Sequence, residues 1–126
     1  MKDINNFILE KLKITKDSKN DNRDPDDPKT WVVGDILVCQ WGYSMVIVDF
    51  YKIIKTTGKS FVLRKLKDKK ISGDGWRGEC VPIENEFEKN EQDINVRINK
   101  YNYVKIKDKG HCSLWTGNPV HYDHMD

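Results

Sequence analysis

Apolar residues fall into short runs separated by polar turns from residue 31 onward, a pattern that indicates a β-rich domain. Residues 36–39 predict a short strand. Residues 45–54 predict the strongest strand in the chain, because Val, Ile, Phe and Tyr dominate there and occupy both faces. Continuous apolar runs are typical of strands covered on both sides, so this segment is expected in the core.

The segment after that strand predicts a hairpin followed by irregular structure. Thr57-Gly58-Lys59 forms a turn into a second strand over residues 61–66. Residues 67–78 are basic and rich in glycine, which predicts a loop. A short strand is expected over residues 80–83, with its proline favouring an edge position. The acidic run through Glu91 then predicts a surface loop or turn.

The last third of the chain alternates apolar and polar residues. Residues 94–98 and 104–107 follow this period of two on either side of a turn at 99–102, which predicts a half-buried antiparallel pair. Residues 114–115 and 120–122 predict a final short strand or an edge cover. The spacing of the strands predicts a mainly β fold, and we expect a small SH3-like barrel or a curled antiparallel sheet.

The first thirty residues have a different pattern. Residues 3–12 space their apolar side chains three or four apart, which predicts a short amphipathic helix that docks on the domain or serves as a partner-binding arm. Residues 15–30 are almost wholly polar and predict an exposed linker. The expected organisation is a helix and polar linker over residues 1–30, then a small β-barrel-like domain over residues 31–126.

Charge is nearly balanced overall but unevenly distributed. The chain has 22 basic and 20 acidic residues, for a net charge of +2, which excludes the strongly basic signature of an obligate nucleic-acid binder. Residues 51–71 nevertheless contain eight basic residues and one acidic residue, whereas residues 84–93 contain five acidic residues and one basic residue. We therefore expect separate basic and acidic surfaces that can orient a partner.

Cysteine usage and hydropathy indicate the cellular setting. Cys39, Cys80 and Cys112 are an odd number of cysteines at wide spacing, which is not the pattern of a disulfide framework. No apolar run approaches the ~20 residues that cross a bilayer, and no signal-peptide pattern opens the chain. A reduced, cytoplasmic protein without a membrane partner is the simplest expectation.

Two short motifs resemble a family of small, mostly uncharacterised proteins carried by phages, plasmids and integrative elements. The first combines a GDI strand start at residues 34–36 with Trp41-Gly42-Tyr43 and Asp49-Phe50-Tyr51, and the second is SLWTGNP at residues 113–119. The resemblance covers roughly residues 31–122. It implies a mobile-element origin, and hence a role against host defence or in element maintenance. Where the family has the polar sequence DQTN, this chain has SMVI at residues 44–47, so no activity that needs those polar groups is expected.

Candidate catalytic and metal-binding residues have weak patterns. His111, Cys112, His121 and His124 carry good zinc donors, but their spacing fits no known module, and we expect neither a metal nor another cofactor. Neighbouring strand residues point to opposite faces, which argues against His111 and Cys112 acting together as base and nucleophile. Asp49 is the one acid within an apolar strand; structural hydrogen bonding is the favoured role, and a functional carboxylate is the alternative. The chain is therefore not expected to be an enzyme.

Two candidate binding surfaces remain. Aromatic and arginine side chains in predicted turns and strand ends suit a protein interface, and lysines near an aromatic residue suit phosphate contacts with stacking. The candidate protein-binding residues are Trp41, Tyr43, Trp76, Arg77 and Trp115. The candidate nucleic-acid-binding residues are Lys52, Lys55, Lys59, Arg64, Lys65, Lys67, Lys69 and Lys70.

The favoured function is non-catalytic binding by a mobile-element protein that inhibits a host defence protein or nucleoprotein, in the manner of an anti-CRISPR or another anti-defence protein. A regulator that binds nucleic acid through the basic hairpin of residues 52–70 is the alternative. Capture of a small nucleotide signal, in a barrel mouth lined by Trp, Arg and Lys, is a third.

Overall fold

The computed structural model describes residues 23–42 and 44–124. Its strands are β1 (Ile36–Trp41), β2 (Ile47–Thr56), β3 (Ser60–Gly73), β4 (Arg77–Phe87), β5 (Ile94–Arg97), β6 (Lys105–Ile106), β7 (Gly110–His111), β8 (Ser113–Leu114) and β9 (Val120–Asp123). A 3₁₀ turn, Pro28–Thr30, precedes β1. None of the described helices is long and apolar enough to span a membrane. The predicted helix at residues 3–12 lies outside the described residues.

Seven of the strands form one antiparallel sheet in the order β8-β1-β2-β3-β4-β9, with β5 paired to β3. β3 is long enough to pair with β2 along one edge and with both β5 and β4 along the other. β9 then approaches the start of β2, where Val46 and Asp123 exchange two backbone hydrogen bonds of 2.7 and 2.9 Å. The sheet is therefore curled, as the strand pattern predicts.

β2 lies in the middle of the fold with a core on each face. On one face, Tyr51 and Ile53 pack with residues of β1, β3, β5 and β6, and we call this cluster the Tyr51 core. On the opposite face, Phe50 and Val48 pack with residues of β3, β4 and β9 in the Phe50 core. This arrangement confirms that the apolar run of β2 is covered on both sides, and it explains why its residues are apolar at consecutive positions.

The prediction of a basic loop at residues 67–78 is wrong for most of that segment. β3 continues to Gly73 and β4 begins at Arg77, so the lysines belong to a strand and only residues 74–76 form the tip. Lysine is a poor strand former, but the cross-strand pairing from Asp68 opposite Pro82 to Gly73 opposite Gly78 fixes the extended conformation. Backbone pairing with β4 outweighs the local preference here.

Two further expectations need correction. The sequence predicts a loop or turn for the acidic segment, but β4 extends through Phe87. It also predicts that residues 94–98 pair with residues 104–107. These segments share one bridge, between Ile98 and Val104, while β5 pairs mainly with β3 and β6 with β7. Both differences arise from pairing with distant strands. β3 pairs with β4 as far as Phe87, and β5 pairs with β3 in place of its neighbour in sequence.

The polar residues just before the first strand contact the rest of the domain. The guanidinium of Arg23 lies 2.7 Å from the carboxylate of Asp35, and the Leu114 backbone donates to the Pro25 carbonyl at 2.9 Å. Pro28 is buried, and the amide of Asn102 donates to the Asp27 carboxylate at 3.3 Å. Residues 23–30 thus lie along the domain.

Candidate functional site

Asp49 is the centre of a charged network on the Tyr51 face of β2. Its carboxylate accepts hydrogen bonds of 2.8 Å from the Lys109 ammonium and 2.8 Å from the Trp41 indole N–H. The Lys65 ammonium lies 3.3 Å from the other carboxylate oxygen, and Lys109 also donates to the Tyr51 hydroxyl at 2.9 Å. The Lys109 ammonium lies over the Trp41 and Tyr51 rings as well, 5.3 and 5.6 Å from their centroids.

Strand register builds this network. Cys39 is opposite Asp49 and Lys65 is opposite Tyr51, so β1 and β3 bring their side chains to the same patch of the sheet. Lys109 arrives from the turn between β6 and β7, where its backbone N–H donates to the Ile106 carbonyl at 3.0 Å. Trp41, Asp49 and Tyr51 belong to the first motif that carries the family resemblance, and here they share one ammonium partner.

The pKa shifts in this network fix its charges. Burial raises the pKa of Asp49, but hydrogen bonds from Lys109 and Trp41 and the positive charges of Lys65 and Lys109 outweigh it, so the pKa is lowered. Burial lowers the pKa of Lys109, but its bonds to Asp49 and Tyr51 prevail, and the pKa is raised. Both groups therefore stay ionised at neutral pH, whereas a general base or acid needs a pKa near the working pH. The network is suited to holding β2, β3 and the β6–β7 turn together.

The candidate nucleic-acid-binding residues do not form one surface. Four have partners: Lys52 with Asn85, Arg64 with Asp93 at 3.0 Å, Lys65 with Asp49, and Lys70 with Asp68 at 3.5 Å. Because successive residues of a strand point to opposite faces, β3 also divides its basic side chains between the two sides of the sheet. The remaining residues, for which the described chain supplies no ion pair, are Lys55, Lys59, Lys67 and Lys69.

Two of the candidate protein-binding tryptophans are occupied within the fold. Trp41 donates to Asp49, and Trp115 packs edge-on against Phe50, 6.2 Å between centroids, while its indole N–H donates to the Asn118 carbonyl at 2.7 Å. Tyr43 lies outside the described residues. Trp41 and Trp115 therefore have structural roles, whereas Trp76 and Arg77 are exposed at the β3–β4 hairpin.

Trp76 lies at the tip of the β3–β4 hairpin with 61% of its surface exposed. The Asp74 carboxylate accepts the backbone N–H groups of Trp76 and Arg77 at 2.9 and 3.1 Å, which lowers the pKa of Asp74. The His124 backbone N–H donates to the Trp76 carbonyl at 2.6 Å and ties the tip to the end of β9. A large aromatic ring is thus held in solvent on a backbone fixed from both sides.

The same hairpin carries a second exposed apolar side chain and a basic side chain. Ile71, on the same hairpin, is 45% exposed. The Arg77 guanidinium lies 3.9 Å from the Asp123 carboxylate. We refer to Ile71, Trp76 and Arg77 as the hairpin tip. It combines two exposed apolar side chains with an arginine, the composition found at the centres of protein interfaces.

A small cavity opens on the Phe50 side of the sheet between β2, β3, β4 and β9. Its volume is about 180 Å³, and it is lined by Ile47, Val48, Asp49, Asp68, Lys70, Cys80, Tyr122 and His124. Tyr122 is buried, and its hydroxyl has no hydrogen-bond partner among the described residues. Burial, then the charge of Asp68, raises the pKa of Cys80 to about 11, so this thiol stays protonated at neutral pH.

The candidate zinc donors on His111, Cys112, His121 and His124 are dispersed. His111 packs edge-on against Tyr103, His124 packs against Tyr122, and His121 is exposed on β9. Cys112 is buried next to the exposed His111. Within residues 23–42 and 44–124, no three His, Cys, Asp or Glu side chains are placed to hold a metal ion.

Sequence reasoning missed Lys109, whose ammonium lies 2.8 Å from the Asp49 carboxylate. Its neighbours, Lys107, Asp108 and Gly110, read as an ordinary solvent-exposed turn. An acid within an apolar strand requires a cationic partner, so Asp49 itself was a usable signal, but 60 residues separate the two. Only the packing of the β6–β7 turn on β1 identifies which lysine it is.

Comparison with protein-family models, curated proteins and solved structures gave no match to this chain.

Proposed function

We propose that this protein is a non-catalytic binding protein that contacts a partner protein through the hairpin tip. The observation that carries the proposal is Trp76, whose ring is 61% exposed on a backbone held by Asp74 and His124. An exposed tryptophan contributes little to its own fold but releases much apolar surface from water when a partner covers it. A pre-formed tip also limits the entropy lost on binding.

The charged network supports a non-catalytic role. Asp49 and Lys109 have pKa values displaced away from neutrality in opposite directions, and each is bound to the other. An ionised pair of this kind holds a fold together but does not exchange protons at neutral pH. The chemistry of the site therefore favours binding elsewhere on the surface over a reaction at Asp49.

The nature of the partner rests on the family resemblance. Small proteins of phages, plasmids and integrative elements act inside the host cell, and we infer that the target is a host defence protein or nucleoprotein. We accordingly propose inhibition of a defence system in the cytoplasm. The finer fold proposal, an SH3-like barrel, is supported by the curl of the sheet and the contact between Val46 and Asp123.

A photo-crosslinking phenylalanine derivative at position 76, which keeps an aromatic ring there, tests the proposal. Tyr101 is the matched control, because it is 68% exposed and lies on the separate turn at residues 99–102. In lysate of the source organism, position 76 should yield a defined crosslinked protein that position 101 does not, with or without nuclease. Identical products from both positions, or nucleic acid alone, would refute the proposal.

Nucleic-acid binding is the second candidate, and Lys67 and Lys69 are its specific support. They are two residues apart on β3, so they share a face, and the described chain supplies no ion pair for either. The double variant Lys67→Glu/Lys69→Glu discriminates the two functions: phosphate binding should weaken strongly and lose part of its salt dependence, whereas protein binding by the hairpin tip should persist. Arg64 and Lys65 are unsuitable for this test because their own ion pairs would be broken as well.

Capture of a nucleotide signal has less support. The cavity next to Tyr122 has a volume of about 180 Å³, below the ~300–1,000 Å³ typical of small-molecule sites. It also contains both an acid, Asp68, and a base, Lys70, in contact with each other at 3.5 Å. A phosphate would have to compete with Asp68 for that ammonium.

A further inference from the structure

Two buried thiols lie opposite each other on neighbouring strands. β8 pairs with β1 in antiparallel register, with Leu37 opposite Leu114 and Val38 opposite Ser113. Extending this register by one residue places Cys39 opposite Cys112. Both cysteines are free and buried, with exposed fractions of 0% and 2%. The topology thus brings together two thiols that are 73 positions apart in the sequence.

The hydrogen-bond pattern shows which kind of cross-strand pair they form. The Trp115 N–H donates to the Ile36 carbonyl at 2.8 Å, so those two residues are a hydrogen-bonded pair. Such pairs alternate with non-hydrogen-bonded ones, and Cys39 is three positions further along β1, so it belongs to the second kind. In agreement, the Cys112 N–H points away from β1 and donates to the Val104 carbonyl at 2.8 Å.

Non-hydrogen-bonded pairs have the separation that a disulfide needs. Their Cα atoms lie about 4.5 Å apart, and disulfides span Cα separations of about 4.4–6.8 Å. The expected separation lies within that range. A bond between Cys39 and Cys112 therefore needs little backbone movement to form.

The local charges assign different roles to the two thiols. The hydrogen bond with Cys112 lowers the pKa of Cys39; burial and Asp49 oppose this, and the Lys109 ammonium adds to it. The same hydrogen bond, with burial, raises the pKa of Cys112. Since the thiolate is the nucleophile, Cys39 is suited to attack first and Cys112 to act as the resolving thiol.

We propose that Cys39 and Cys112 form a reversible disulfide when the protein meets a hydroperoxide. The Cys39 sulfur attacks a peroxide oxygen, the O–O bond breaks, and a sulfenic acid forms on Cys39. The Cys112 sulfur then attacks the Cys39 sulfur, the S–O bond breaks, and water leaves. With hydrogen peroxide, two thiols and one peroxide give one disulfide and two waters: the sulfurs are oxidised and the peroxide is reduced.

β8 determines both how peroxide reaches the two thiols and what the disulfide does to the fold. This strand has two residues, so local opening at this end of the sheet exposes the thiols without unfolding the rest of the domain. Once formed, the bond fixes β8 to β1 and encloses most of the described chain within one covalent loop. The oxidised protein should hold the segment that ends in Trp115 more firmly than the reduced protein does.

Peptide mapping of the full chain tests the proposal. Trypsin separates the three cysteines, because cleavage after Lys and Arg gives peptides 30–52 with Cys39, 78–89 with Cys80 and 110–126 with Cys112. Reduced protein is treated with hydrogen peroxide, blocked with N-ethylmaleimide under denaturing conditions and digested. We expect a mass loss of about 2 Da and a linked 30–52/110–126 peptide, with Cys80 alkylated, and reversal by dithiothreitol.

Variants provide an independent readout. Cys80→Ser should still form the disulfide, whereas Cys39→Ser and Cys112→Ser should not; wild-type mapping decides the matter even where a variant fails to fold. Linkage of Cys80 to either partner, alkylation of all three thiols after peroxide treatment, or accumulation of a sulfinic acid on Cys39 in place of the linked peptide would overturn the proposal.

Discussion

The ammonium of Lys109 lies 2.8 Å from the carboxylate of Asp49, although the two residues are 60 positions apart in the chain. This ion pair connects the β6–β7 turn to β2, the strand with a core on each face. Lys65, on β3, lies 3.3 Å from the same carboxylate. One buried acid therefore joins three parts of the fold, and its removal is the most informative change for stability.

Asp49→Asn should lower the free energy of unfolding by about 2–3 kcal/mol, because Lys109 and Lys65 lose their common anion. This lies below the ~3–5 kcal/mol typical of fully buried pairs, since both ammonium-bearing side chains are 22% exposed. Urea denaturation measures the difference. Asp93→Asn is the matched control: it breaks the exposed pair with Arg64, 3.0 Å apart, and should cost no more than about 1 kcal/mol. Equal losses in both variants would contradict a special role for Asp49.

The contribution of Asp49 should disappear in acid. Its pKa is lowered in the folded protein, so the unfolded state takes up a proton first as the pH falls. The stabilisation is complete above the ordinary aspartate pKa of about 4 and is lost as the pH falls through the lower folded pKa. Unfolding titrations from pH 7 down to pH 2 should show the gap between wild type and Asp49→Asn shrinking below about pH 4. A stability difference between the two proteins that does not change with pH would mean that the charge of Asp49 is not its origin.

Two buried tyrosines should respond differently to loss of the hydroxyl. Tyr51 accepts a 2.9 Å hydrogen bond from Lys109, and Tyr51→Phe should cost about 1 kcal/mol. The Tyr122 hydroxyl has no partner among the described residues, so Tyr122→Phe should be neutral or stabilising by up to about 1 kcal/mol. Thermal and urea unfolding compare the pair. A clear loss on Tyr122→Phe would show that its hydroxyl is hydrogen-bonded in the neighbouring cavity.

The geometry of the hairpin tip should depend on Gly73 more than on Gly75. Both have positive φ, +98° and +92°, so an alanine is strained at either position by about 1 kcal/mol. A Cβ on Gly73 would in addition collide with the Arg77 carbonyl oxygen, whereas a Cβ on Gly75 meets nothing within 4 Å. Gly73→Ala should therefore be less stable than Gly75→Ala, and crosslinking from position 76 should fall in the first variant. Equal behaviour would show that the pairing of Gly73 and Gly78 does not set the tip.

Local pattern predicts the strands of this fold well and their partners poorly. The β2 strand, the turn at residues 57–59 and the strand at residues 94–97 follow from composition and period. The extension of β3 to Gly73 does not, because its lysines favour solvent and only pairing with β4 holds them extended. The order of strands in a sheet depends on contacts between segments that are distant in the sequence. A local pattern contains no information about those contacts.

The candidate binding surfaces could not be predicted from local sequence for the same reason. The eight basic residues at positions 52–70 read as one surface because they are close in sequence. Alternation along β3 divides the five that it carries between the two faces of the sheet. Acids from distant segments, Asp49 and Asp93, neutralise Lys65 and Arg64. Among the aromatics, sequence placed Trp41, Trp76 and Trp115 alike at turns or strand ends. Packing separates the two that have structural roles from the one that is exposed.

Binding through the hairpin tip is measured directly by affinity capture with wild type, Trp76→Ala and Tyr101→Ala, each treated with nuclease and quantified by mass spectrometry. Trp76 and Tyr101 are comparably exposed, at 61% and 68%, so both substitutions remove an exposed aromatic ring at little cost to the fold. We predict that a protein crosslinked from position 76 is retained by wild type and Tyr101→Ala, and at least about tenfold less by Trp76→Ala, the loss expected for a binding hot spot. Equal retention of that protein by all three would contradict binding through the hairpin tip.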